Sequence, residues 1–157
     1  MRRRFLLGVA LALTAGLLAL PGTAGADHAG HQGVTRSWTL TATLSGDAEV
    51  PAVTTDAVGL IRITIDRPKH LLCYELVASG IAVQAGHIHR AAPGSNGGVV
   101  VDLGAFGEPF GSTSAGCTTV DNWRLLRNLV NTPGKFYVNL HTTAYPGGEI
   151  RGQLADR

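Results

Sequence analysis

Lys135-Phe-Tyr-Val-Asn-Leu-His-Thr-Thr-Ala-Tyr-Pro-Gly-Gly-Glu-Ile-Arg-Gly-Gln-Leu154 is the stretch that decides the fold. Phe136, Val138 and Leu140 alternate with Tyr137, Asn139 and His141, the period of a strand. The turn Tyr145-Pro146-Gly147-Gly148 follows, and then Glu149, Arg151 and Gln153 share one face with Ile150 opposite. Two such runs joined by Pro-Gly-Gly predict a β-hairpin. Its polar face carries Asn139 and His141 across from Glu149, Arg151 and Gln153, the makings of a dense hydrogen-bonded layer.

Working back along the chain, the same period recurs. Ser37-Trp-Thr-Leu-Thr-Ala-Thr-Leu44, Val58 to Asp66, Leu71 to Ser79, the segment around Gly86-His-Ile-His-Arg90, and Val99 to Leu103 all read as strands. Gly and Pro punctuate them at short intervals. The expected fold is all-β, an antiparallel Greek-key-like sandwich or barrel. One segment departs from it: in Thr119 to Val130, Leu125, Leu126, Leu129 and Val130 share a helical face. That predicts one short helix, with Thr119 or Asp121 as N-cap and Pro133-Gly134 as its stop.

Three domains of behaviour are expected. Residues 1–26 combine Arg2-Arg3-Arg4, an uncharged apolar run and Ala24-Gly25-Ala26, which predicts an export signal of possible twin-arginine type. Residues 27–36 form a small polar leader, and residues 37–157 the β domain. Cleavage would leave no stable membrane span and would place the chain outside the membrane: secreted, periplasmic or at the cell surface. Three of the 13 Lys/Arg residues lie in the signal, leaving ten against 11 acids, a net charge of −1 with no basic nucleic-acid face. Two cysteines, Cys73 and Cys117, in an exported chain argue for one disulfide. Two free thiols or half of a metal site are the alternatives.

Of six histidines, His87 and His89 are spaced i, i+2 and so point to one face of a strand, roughly 7 Å apart. With His141 they offer three nitrogens that suit zinc or copper, Glu149 being a further ligand or a partner of one. The alternative is a structural polar layer in which His87 and His89 bond to backbone carbonyls, Asn139 or Glu149, while Arg151 compensates the carboxylate. No catalytic residue is expected: Ser112-Thr-Ser-Ala-Gly116 lacks the first glycine of a nucleophile elbow, and Pro93-Gly-Ser-Asn-Gly-Gly98 lacks the lysine of a phosphate loop. Asp47 and Glu49, flanking Ala48, read as a solvated pair.

Two stretches carry a family resemblance. Ala85-Gly-His-Ile-His-Arg-Ala-Ala-Pro-Gly-Ser-Asn-Gly-Gly-Val-Val-Val-Asp-Leu103 and the Lys135–Leu154 hairpin, with Leu44-Ser-Gly-Asp-Ala-Glu-Val-Pro-Ala-Val53, resemble the chordin-domain (CHRD) family over about residues 38 to 155. The resemblance implies a mostly β, extracellular domain with a binding or structural role and no assigned activity. The expected partner is an extracellular protein or cell-surface ligand, met through exposed loops such as Ala91–Gly98 and Glu108–Gly116. The His-x-His is similar to that of copper-zinc superoxide dismutases too. The second histidine-rich loop and the aspartate-histidine zinc subsite are missing, so dismutase activity is not expected.

Overall fold

The computed structural model describes residues 37–105 and 113–157. The predicted signal and leader therefore lie outside the described residues, as does the first part of the Glu108–Gly116 loop. The strands are β1 (Ser37–Ser45), β2 (Val58–Asp66), β3 (Leu71–Ser79), β4 (Ala85–Arg90), β5 (Val99–Ala105), β6 (Thr113–Thr119), β7 (Phe136–His141), β8 (Ile150–Gln153) and β9 (Ala155–Asp156). They form one antiparallel sheet in the order β5-β4-β7-β8-β1-β2-β3-β6, with β9 on β1, curled into a nearly closed barrel. The expected all-β architecture is thus what the chain adopts.

Alternation explains the core. Leu40, Ala42 and Leu44 of β1, Ile61, Ile63 and Ile65 of β2, and Leu72, Leu76 and Ala78 of β3 point inward, as do Ile88, Val138, Leu140 and Ile150 from the far side. Each β-branched or Leu side chain so buried contributes about 1.5–3 kcal/mol. A one-residue slip in any strand would turn its whole apolar set outward, so the long β1–β2 and β2–β3 registers are fixed by burial.

Two local expectations need correction. The helix α1 runs Trp123–Asn131, and its N-cap is Asn122, whose side chain accepts from the Leu125 N–H at 3.1 Å. Neither Thr119 nor Asp121 caps it, because Thr119 is still paired in β6 with Leu71. Leu126 and Leu129 are buried as predicted, with Leu125 and Val130 packed beside them. The second correction is β6 itself. Thr113 to Gly116, read from the sequence as part of a loop, pairs along β3.

Cys73 and Cys117 stand directly opposite each other in that pair and form the disulfide. Among the described residues no helix is long and apolar enough to cross a membrane.

Candidate functional site

The polar face of β4, β7 and β8 is the outer face of the barrel, yet it is not left to water. In β7 all five residues from Phe136 to Leu140 are buried, so this strand is covered on both sides. The inner cover is the core. The outer cover consists of two loops, residues 46–57 and 91–98, joined to each other by Asn96 Nδ2 donating to the Val50 carbonyl at 2.7 Å.

Strand pairing sets the positions. His87 lies between Asp102 of β5 and Asn139 of β7, which in turn faces Arg151 of β8. His89 lies beside Tyr137, and Ala85 beside His141. The side chains at 87, 89, 137, 139, 141 and 151 therefore emerge on one surface. His87, His89 and His141 meet there: one ring nitrogen of each lies within 4.8 Å of the others.

Each ring is held. His89 Nδ1 faces the Gly97 carbonyl at 2.9 Å, and His141 Nδ1 the Pro146 carbonyl at 3.0 Å. A carbonyl only accepts, so both Nδ1 atoms carry the proton and both Nε2 atoms present lone pairs. His87 Nδ1 lies 2.8 Å from His141 Nε2. His89 Nε2 is buried and has no partner. The His89 ring stacks on Tyr137, centroids 4.8 Å apart and planes 7° from parallel. The glycine at 97 is required by close approach: a Cβ there would sit 2.0 Å from the Arg90 carbonyl oxygen, so no other residue brings this carbonyl to His89.

Arg151 locks the outer cover down. Its Nε donates to the Ala48 carbonyl of one loop, and its Nη1 to Ser95 O (3.3 Å) and Asn96 Oδ1 (2.9 Å) of the other. Its guanidinium carbon sits 4.4 Å from the centroid of the Tyr137 ring. Gln153 adds a bond to the Ala91 carbonyl at 2.8 Å.

Glu149 does not join the histidines. Its oxygens accept from Thr55 Oγ1 at 2.9 Å and Thr142 Oγ1 at 2.8 Å, so it ties the hairpin turn to the 46–57 loop. It is not among the metal-competent cluster, nor is it paired with Arg151. The carboxylate that Arg151 influences is Glu49, which accepts from Asn139 Nδ2 at 3.0 and 3.2 Å. Glu49 is 7% exposed, so it is no solvated partner of exposed Asp47. Three residues were thus missed as site members: Glu49, Tyr137 and Asp102. Asp102 was legible only as a lone acid in an apolar strand.

Burial lowers the pKa of His89 and of His141, against the opposing pull of their carbonyl partners; the neighbouring rings, and Arg151 for His89, lower them further. Burial raises the pKa of Glu49, and Arg151 offsets part of that rise. Above about pH 6.5 the two imidazoles are neutral both folded and unfolded and contribute nothing pH-dependent. As pH falls through that value the unfolded chain takes up protons that the folded chain resists, so stability drops. The protein in chelator is expected to show a lower urea midpoint at pH 5.5 than at pH 7.5. The His89→Gln/His141→Gln double variant should flatten that slope, and an unchanged slope would show the two rings to be solvated.

An antiparallel barrel that carries three convergent, half-buried imidazoles on its outer face, beside two clamped loops, is a small β-barrel domain with a histidine cluster. The particular family is shown by the sequence: the CHRD-domain model matches residues 40–154, and the chain belongs to that family. No curated protein and no solved structure matches the chain.

Proposed function

We propose that this chain is an exported, non-catalytic binding domain whose site takes one zinc or copper ion on His87, His89 and His141. The observation that carries the reading is the His89 Nε2 lone pair, buried without a partner beside two other rings. A buried acceptor left unpaired costs about 1–3 kcal/mol, and an ion at the centre of the cluster would repay it. The donor set supports the same reading. Two of the rings hold their Nδ1–H on backbone carbonyls, the usual outer support of a metal-ligating imidazole, and their lowered pKa values keep them in the neutral form that coordinates. Three nitrogens suit either metal.

A structural polar layer is the second reading, favoured by one contact: His87 and His141 satisfy each other at 2.8 Å with no ion needed. In both readings the partner class is an extracellular protein or cell-surface ligand, and the compartment is outside the membrane, by a Sec or twin-arginine route.

Metal analysis separates the two. The purified protein, loaded and desalted, is expected to retain about one equivalent of zinc or copper, and His89→Ala to retain less than about a tenth. The same substitution should weaken zinc affinity by more than about 100-fold. Retention by neither protein would leave the polar layer standing.

A further inference from the structure

We propose that Asp102 is the positioning residue of this site: when an ion binds, its carboxylate accepts from His87 Nε2–H and so holds the ring in the tautomer that turns the Nδ1 lone pair toward the ion. This rests on the metal reading above. His89 and His141 are set in advance, each with its proton on Nδ1 and its Nε2 free to coordinate. His87 is not. His141 Nε2 can only accept, so the 2.8 Å contact requires His87 Nδ1 to donate, and that nitrogen has no lone pair to offer. Three lone pairs converge only when the His87 proton moves from Nδ1 to Nε2.

Asp102 is placed to take that proton's hydrogen bond. It is the cross-strand partner of His87, and its Oδ1 lies 3.8 Å from His87 Nε2. The carboxylate is itself held, Oδ1 accepting from the Gly104 N–H at 2.7 Å. Spacing adds a second reason. Zinc–nitrogen bonds of about 2.0–2.1 Å in a tetrahedron put ligand nitrogens about 3.3 Å apart, so Nδ1 of His87 must withdraw about 0.5 Å from His141 Nε2. The gap to Asp102 leaves the ring room on its other side. Every ring of the cluster would then have an outer acceptor: Gly97 O for His89, Pro146 O for His141 and Asp102 for His87, the arrangement that raises ligand basicity. Its negative charge, on a side chain 72% exposed and so partly screened by solvent, opposes the ion's own.

Asp102→Asn is the discriminating variant, because its amide oxygen can still accept from Gly104 while the charge is lost and the second oxygen becomes an NH2 donor. In competitive zinc titrations it is expected to keep the wild-type stoichiometry with an affinity about 10–100-fold weaker, at an unchanged unfolding midpoint of the metal-free protein. Imidazole ¹⁵N shifts of the zinc-loaded wild type should show His87 protonated on Nε2 and metallated on Nδ1, with that signature eroded in the variant. Equal zinc affinity in Asp102→Asn, or coordination through His87 Nε2, overturns the inference while the metal reading stands. Absence of zinc binding by the wild type overturns both.

Discussion

Replacing Arg151 by leucine is expected to lower the unfolding free energy by about 3–5 kcal/mol. Arg151 is 2% exposed, and its guanidinium spans the two covering loops through Ala48, Ser95 and Asn96, besides lying against Tyr137. Leucine supplies the apolar volume but none of the donors. The part-buried acceptors it abandons would have to turn to water, and Glu49 would keep its desolvation without the cation that offsets it. Lysine at 151 should recover only part of the loss, since a point charge cannot reach carbonyls in two loops at once. Urea denaturation gives the number, and limited proteolysis within residues 46–57 and 91–98 gives the location. A loss below about 1 kcal/mol would mean the guanidinium is worth no more than a surface pair, and that the loops close by other means.

Arg151 joins segments that no single strand's pattern brings together. The alternation in Phe136–His141 placed Tyr137, Asn139 and His141 on one face, and the His-x-His spacing placed His87 and His89 on another, because a strand's period is local. Strand pairing of β4 with β7 joined those faces, which the shared polarity of the two segments already suggested. What alternation cannot say is whether a polar face meets water or protein. Here two loops cover it, so Glu49 is drawn from an ordinary turn into contact with Asn139, and Glu149 is held by two threonines away from the histidines that it was expected to serve. The Glu49–Asn139 and Thr55–Glu149 contacts join residues 90 and 94 positions apart, and no local pattern carries that information. The same holds for Asp102, whose partner is fixed only by the β4–β5 register.

β6 was hidden for a different reason, and that reason sets the last expectation. Thr113 to Thr119 contains small and polar residues and buries none of them fully, so it has no apolar alternation to read. Gly116 is small because Tyr74 occupies its inner side: a Cβ there would come within 2.9 Å of the Tyr74 hydroxyl. The strand thus gains little from hydrophobic burial and pairs on one side only, with β3. What holds it is the Cys73–Cys117 bond, which closes a separation of 44 residues. On the loop-entropy estimate that closure is worth about 4 kcal/mol. The Cys73→Ser/Cys117→Ser double variant is therefore expected to lose about 4 kcal/mol, a fall in Tm on the order of 15 °C. Because β6 contributes no fully buried side chain, the loss should act through the unfolded chain and the β6 edge rather than through the core. Amide exchange should accelerate first in β6, while that of β4 and β7 stays unchanged. A loss below about 1 kcal/mol, or β6 amides protected as well as those of β2, would show that backbone pairing with β3 suffices to hold the strand.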